Sequence, residues 1–183
     1  ADVQGASLQG ANLHDADFRF SDLSSANLCG TNLMNADFRK TYAMETNFLE
    51  TDLSSTDLRE MLHSNKRLFP KGFDIEKAKI YILSPFSNLE GANLRGVTLD
   101  EMDLREVNAK GGNLREASVR DCILRGSDLR FVDFTKADLT GADLTGADIR
   151  WANLKHTDLS NTILDDVVYN HRTRWPKGFQ KKE

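Results

Sequence analysis

Residues with catalytic or metal-binding chemistry are scattered through this chain of 183 residues. The four histidines are isolated from one another, and we expect solvated surface side chains at His14, His63, His156 and His171. Cys29 and Cys122 form neither a CxxC pair nor a metal quartet, so we expect two free thiols. No HExxH, GxSxG, Walker or dinucleotide-binding motif occurs. The sequence therefore predicts no catalytic residue, metal ligand or cofactor, and an enzyme is the least favoured function.

Aspartate and asparagine are abundant, but their spacing is periodic. A catalytic carboxylate needs a paired or desolvated environment in a concavity. Here Asp or Asn recurs every fifth position, between a small residue and a central Leu or Phe, as in the run ADLTGADLTGADIRWANL over 137–154. Twelve consecutive units of this kind span 1–60 and sixteen span 87–166. This regular recurrence indicates a structural role for most of the acidic residues.

A period of five residues excludes an amphipathic helix. Every fifth residue of a helix is rotated by about 140°, so the apolar residues would form no stripe. A coil with a corner in each unit does fit the period. The central Leu or Phe and the small residue two positions earlier then point inward, as alternate strand residues do. The Asp or Asn between them points outward and can hydrogen-bond the backbone at the corner.

The units ANLHD, ADFRF, ADLTG and ANLKH resemble the pentapeptide-repeat family, whose unit is roughly A-(D/N)-L-x-x. The resemblance implies an all-β fold, a right-handed quadrilateral β-helix with four units in each coil. The two tracts would then form about seven coils. A twenty-residue coil also agrees with the recurrence of Asp17-Phe18-Arg19 as Asp37-Phe38-Arg39.

Two segments interrupt the repeat, and they resemble each other. Residues 61–86 contain RLFPKGF and residues 167–183 contain TRWPKGF, and each proline lies twelve residues after the last repeat centre. This match indicates a duplication or a fusion of two related units. We expect a loop or linker at 61–86, extruded from one continuous stack, with two separate stacks as the alternative. We expect a capping tail at 167–183.

The amino-terminal tract begins directly in a repeat at Ala1. An end coil without a cap exposes strand edges and core residues. The sequence therefore predicts a homodimer that pairs through this first coil. No apolar run is long enough to span a membrane, and the two free thiols favour the cytoplasm. The thylakoid lumen or periplasm is the alternative if a signal precedes Ala1.

The charge distribution bears on the partner. The chain has 28 acidic and 24 basic residues, and the two repeat tracts carry net charges of −6 and −5. Some members of the resembled family imitate DNA and bind DNA gyrase or topoisomerase, which makes that activity the alternative function. Arginines such as Arg19, Arg39 and Arg59 interrupt the acidic surface, whereas a DNA mimic needs an unbroken negative field. Direct nucleic-acid binding is disfavoured because the chain has no large basic face.

One outward column supplies a candidate partner surface. At a stride of twenty, Phe131 and Trp151 fall on adjacent coils, below two glycines. Lys110, Arg130 and Arg150 directly precede residues of this column and give the aromatic pair a cationic border. Aromatic residues beside arginine are typical of interface hot spots. We therefore expect a non-catalytic scaffold that binds another, acidic protein here, unless a neighbouring segment covers the two rings.

Overall fold

The computed structural model describes residues 2–180, so Ala1 and the last three residues of the expected tail lie outside the described part. The chain divides into two compact units, Ala1–Leu83 (unit 1) and Ser84–Glu183 (unit 2). Within residues 2–180, three short elements are regular: strand β1 (Leu62–His63), a 3-10 helix (Lys66–Leu68) and strand β2 (Tyr81–Ile82). The rest of the repeat tracts consists of single parallel bridges between turns.

The bridges recur every twenty residues within each unit. In unit 1, Asp2 pairs with Asp22, Asp22 with Tyr42, and Tyr42 with Leu62. In unit 2 the same ladder runs from Asn88 to Asn108 and onward to Val168. Each five-residue unit is therefore one side of a four-sided coil, and each coil stacks in parallel on the next.

Most corners between sides are tight turns whose third residue has a positive φ, as in a type II turn. The Ala152 backbone N–H donates to the Ile149 carbonyl oxygen over 3.0 Å, and Trp151 between them has φ +61°. The preceding Asp or Asn supports the same turn. The Asp148 Oδ1 atom, for example, accepts a hydrogen bond from the Arg150 backbone N–H over 3.1 Å. The outward Asp and Asn side chains thus hold the corners, as the repeat predicted.

The core of each unit is a stack of inward side chains. The central Leu and Phe residues of the inner coils are buried, Phe38, Leu139 and Leu144 completely. The small inward residues are buried with them, and inward Thr side chains bond to the preceding coil, as Thr46 Oγ1 does by donating to the Leu23 oxygen over 2.7 Å. The inside and outside positions predicted from the repeat are confirmed.

The first coil of unit 1 is less protected. Its central residues Val3, Leu8, Leu13 and Phe18 are only half-buried, although they pack on the core of the next coil. Pairing of two copies through this coil stays a prediction.

Residues 61–83 are packed on unit 1, which corrects the expected extrusion from the stack, while the division of the chain into a loop or linker at 61–86 stays a prediction. Strand β1 pairs with Tyr42 on one side and with strand β2 on the other. Met61, Phe69 and Ile80 are buried because they close the apolar end of the preceding coil. The segment was not recognisable as a coil because it lacks the five-residue spacing.

His63 is also corrected, since it is a buried residue and not a solvated one. Its Nε2 atom lies 2.8 Å from the Thr46 carbonyl oxygen, and its Nδ1 atom accepts a hydrogen bond from the Asn65 backbone N–H over 2.9 Å. Both ring nitrogens are satisfied only in the neutral tautomer that carries the proton on Nε2. Burial lowers the pKa of this imidazole below its usual value.

The two PKGF segments adopt the same conformation, which we call the closing motif (69–73 and 175–179). Phe69 stacks on Phe73 with ring centroids 5.4 Å apart, and Trp175 stacks on Phe179 at 5.0 Å. The glycines in both turns have φ near +80°, at +82° for Gly72. The two segments are therefore alike in structure as well as in sequence.

Candidate partner surface

The aromatic column of unit 2 is formed by equivalent corner residues, twenty positions apart, on four successive coils. Gly91 and Gly111 occupy the first two positions, and a Cβ atom placed on either would contact nothing within 4 Å. Phe131 and Trp151 follow on the next two coils. Because adjacent coils are linked by hydrogen bonds, such as Phe131 N–H to the Arg150 oxygen at 3.1 Å, the two side chains are held in register.

Phe131 and Trp151 stack face to face. Their ring centroids are 4.8 Å apart and their planes differ by 7°. Phe131 is exposed, with 50% of its surface accessible to solvent, whereas Trp151 is partly buried and less accessible. The Trp151 backbone N–H donates to Asn170 Oδ1 over 3.3 Å, which ties this corner to the following coil. The pair thus presents an aromatic surface next to the open backbone at Gly91 and Gly111, which we call the glycine shelf.

The cations beside the rings all have acidic partners. Arg130 binds Asp128 through Nε and Nη2, and Arg150 binds Asp148 in the same way, with Nη2 to Oδ2 at 2.6 Å. Arg130 Nε also lies 3.8 Å from Asp148 Oδ2. These hydrogen bonds lower the pKa of both carboxyls, so the pairs stay ionised at neutral pH.

Lys110 completes the border. Its Nζ atom lies 3.6 Å from Glu90 Oε1. Each of the three cations is therefore neutralised locally by an acidic partner, and their role as a cationic border of the aromatic pair stays a prediction. The signal for this was present in the sequence, because Asp128 and Asp148 each lie two residues before an arginine.

The arginines still contribute to the aromatic surface. The Arg150 Cζ atom lies 5.6 Å from the Trp151 ring centroid, within the range of a cation–π contact. Because Asp148 holds this guanidinium in place, the Trp151 ring has one fixed cationic neighbour. The arrangement can recognise a surface by stacking and by hydrogen bonding, without a strong long-range field.

Other chemistry is not assembled in the described residues. No group of three or more His, Cys, Asp or Glu residues within 2–180 could hold a metal ion. Cys29 is half-buried and Cys122 is buried, and both are free thiols. None of the helices within 2–180 has the length and apolar composition to cross a bilayer.

A coil of four five-residue sides, repeated in parallel, defines a right-handed quadrilateral β-helix. The chain belongs to the pentapeptide-repeat family: the family model, described as Pentapeptide repeats (8 copies), matches residues 1–34, 21–59, 87–126 and 122–161. No curated protein gives a significant match.

Several solved structures are similar. The pentapeptide-repeat protein Rfr23 from the cyanobacterium Cyanothece 51142 is 19% identical, with 93% of this chain and 88% of that chain covered and a TM-score of 0.42. The pentapeptide-repeat protein alr5209 from Nostoc PCC 7120 is 36% identical over 52% of this chain and 74% of that chain, with a TM-score of 0.32. QnrB1, a plasmid-mediated fluoroquinolone resistance protein, is 13% identical over 90% of both chains, with a TM-score of 0.29.

Proposed function

We propose that this protein is a non-catalytic scaffold that binds another protein through the surface formed by Lys110, Arg130, Phe131, Arg150 and Trp151. The observation that carries the proposal is the stacked pair Phe131–Trp151, of which Phe131 exposes half its surface. Aromatic residues and arginine are the side chains that dominate binding energy at protein interfaces. The pair is already ordered by stacking, so little rotamer entropy is lost when a partner docks.

A protein partner fits this surface better than a nucleic acid does. Unit 2 is acidic in its repeat tract, and the cations beside the rings are paired with Asp or Glu. Phosphate backbones are bound mainly by unpaired lysine and arginine. The partner therefore makes its main contact with the aromatic faces and the glycine shelf. Carboxylates of the partner add short-range hydrogen bonds to the two guanidinium groups.

Binding to DNA gyrase or topoisomerase is the second candidate function, because the acidic surface of unit 1 is interrupted by arginine. In unit 1, Arg19 lies 2.6 Å from Asp17 and 3.7 Å from Asp37, so opposite charges alternate along this face. An alternating ladder produces a weak external potential, unlike the continuous negative potential of a DNA duplex.

The free thiols support a reducing compartment, and we propose the cytoplasm as the location of the protein.

Pull-down from lysate of the source cell tests the proposal with matched variants. The double variant Phe131→Ala/Trp151→Ala removes the stacked pair. Phe20→Ala is the control, because Phe20 is also an exposed corner aromatic near a cation, with Lys40 Nζ 5.9 Å from its ring centroid. We expect at least one protein that wild type and the Phe20 variant retain and the double variant loses.

The captured protein is then purified and its dissociation constant measured. We expect the double variant to weaken binding at least about thirtyfold, the change that corresponds to a hot-spot loss of ~2 kcal/mol. Equal capture by the wild type and the double variant would contradict the proposed surface.

A further inference from the structure

The aromatic column of unit 2 has room for more rings than it carries. Phe131 and Trp151 occupy two of its four corner positions, and their ring centroids are 4.8 Å apart. This separation matches the spacing of neighbouring strands, so each coil can support one ring of a continuous stack. Gly91 and Gly111 occupy the two preceding corners and bring no side chain. The stack of rings therefore stops at Phe131, although the corners that could support it continue.

The backbone at Gly111 is built like the corners that carry the rings. Its φ is +70°, close to the +61° of Phe131 and of Trp151. The Gly111 N–H donates to the Arg130 oxygen over 2.8 Å, just as the Phe131 N–H donates to the Arg150 oxygen over 3.1 Å. A Cβ atom on Gly111 would meet no heavy atom of the described residues within 4 Å. The space beside Gly111, in line with the two rings, is thus open; we call it the third ring place.

One face of the Phe131 ring is turned toward this place. Trp151 lies on the following coil and covers the other face, with the two ring planes only 7° apart. Phe20 in unit 1 offers a comparison, because its neighbouring corner supplies Lys40, whose Nζ lies 5.9 Å from the ring centroid. At Phe131 the neighbouring corner is a glycine. The ring therefore keeps an apolar face that its own column leaves open, in agreement with its exposure.

The polar groups around the third ring place carry little net charge. Lys110 directly precedes Gly111, and its Nζ lies 3.6 Å from Glu90 Oε1. Arg130 directly precedes Phe131, and its Nε donates to Asp128 Oδ1 over 2.8 Å. Phosphate groups are bound mainly by unpaired cations. A neutral ring with a polar edge fits these paired groups better than an anion does.

We propose that the third ring place receives a tyrosine or tryptophan side chain of the partner protein, which extends the stack of Phe131 and Trp151 by one ring. The inference rests on the proposed function and names the residue type that the partner must present. Stacked aromatic rings attract each other beyond their burial of area, and tyrosine and tryptophan can also hydrogen-bond through a polar edge. Glycine at position 111 keeps the place free for such a ring.

NMR titration of the full isotope-labelled chain with N-acetyl-tryptophanamide tests the place without any partner. We expect saturable shift changes centred on the amides of Gly111 and Phe131 and on the indole N–H of Trp151. N-acetyl-leucinamide is the control, since it is neutral and apolar but has no ring. It should bind about twofold to twelvefold more weakly, the advantage of an aromatic pair over area burial alone. Equal binding of the two compounds, or no saturable change, would overturn the proposal.

The variant Gly111→Glu fills the third ring place and should abolish the saturable shifts at Phe131 and Trp151. Glutamate already occupies equivalent corners, at Glu106 with φ +53° and at Glu116 with φ +60°, so the coil tolerates it. Gly146→Glu is the matched control. Gly146 has φ +68° and an equally open Cβ position, but it lies at a different corner of the coil. This control should bind the tryptophan amide like the wild type, and equal loss in both variants would refute the assigned place.

Adenosine 5′-monophosphate is the rival planar probe, because nucleobases also stack on aromatic side chains. Tighter binding of this nucleotide than of the tryptophan amide at the same residues would overturn the assignment to a protein side chain. Weaker binding of the nucleotide supports it.

The pull-down separates this inference from the proposed function. We expect Gly111→Glu to lose the same captured protein as the double variant Phe131→Ala/Trp151→Ala, while Gly146→Glu retains it. If the double variant loses that protein and Gly111→Glu retains it, the partner surface stands and the third ring place is refuted. If neither loses any captured protein, the proposed function fails, and a partner side chain in the third ring place is rejected with it.

Discussion

Truncation of Leu144 gives the sharpest test of the coil architecture. Leu144 is fully buried in unit 2 and lies in one column with Leu124, which is 3% exposed. Leu144→Ala removes three carbon atoms from a core with the width of a single coil. Such truncations cost about 2–5 kcal/mol, and the upper part of the range applies where the neighbours cannot collapse. The backbone of Leu144 is fixed by its N–H bond to the Ile163 oxygen at 2.9 Å, which limits collapse.

The neighbouring outward residue is the control. Thr145 is half-buried, and its Oγ1 donates to Asp143 Oδ1 over 2.5 Å. Thr145→Ala removes one hydrogen bond that water can partly replace, so its cost is at most about 0.5–1.5 kcal/mol. For a domain of roughly 100 residues, 1 kcal/mol lowers Tm by about 4–8 °C. Calorimetry should therefore show a fall of at least about 8 °C for Leu144→Ala and a clearly smaller one for Thr145→Ala. Equal shifts would refute the inside and outside assignment.

Three further predictions follow from buried and paired groups. Because burial lowers the pKa of His63, the unfolded chain takes up a proton that the folded chain excludes, so the free energy of unfolding should fall as pH drops below about 6.5. His63→Gln should flatten that dependence in urea titrations, and an unchanged slope would contradict this account. Burial raises the pKa of Cys122 to about 12, so a thiol reagent at neutral pH should modify Cys29 alone in the folded protein and both thiols in denaturant, as mass spectrometry can show. In a gyrase supercoiling assay the purified protein should neither inhibit the enzyme nor protect it from quinolones, because its acidic ladders are interrupted by arginine; potent, salt-sensitive inhibition would reverse the order of the two proposed functions.

The regular part of the fold was predictable because all residues in one column of the repeat lie in the same physical environment, either the core or the surface. The inward Leu, the small residue and the outward Asp are separated in the sequence in the same way at every corner, and Phe131 and Trp151 could be placed side by side from the stride alone. The position of a side chain in such a coil follows from its number.

Prediction failed where the spacing changes. The apolar run IYIL over 80–83 allowed either a helix end or a packed strand, but strand β2 follows β1 by nineteen residues, with Leu62 paired to Tyr81, so a period of five or twenty does not give its register. His63 was misassigned for the same reason, because its burial depends on Phe69, which reaches it only through the closing motif, with ring centroids 4.7 Å apart. The local neutralisation of Arg130 and Arg150 was predictable, because Asp128 and Asp148 lie two residues before them, but the two-point geometry of each pair depends on side-chain conformations that the repeat pattern does not specify.

The left-handed corners have a consequence for how such a molecule evolves. Phe20, Phe131 and Trp151 all occupy the corner position with φ between +57° and +61°. A side chain there costs about 1–2 kcal/mol relative to the right-handed conformation, a cost that glycine avoids. A bulky residue at a corner thus lowers the stability of its coil but adds a side chain to the surface. The inward columns of the core need not change when such a residue is introduced. A lineage of such proteins could alter its partners by substituting corner residues between glycine and bulky side chains, with the neighbouring coils supplying the stability that each exchange removes.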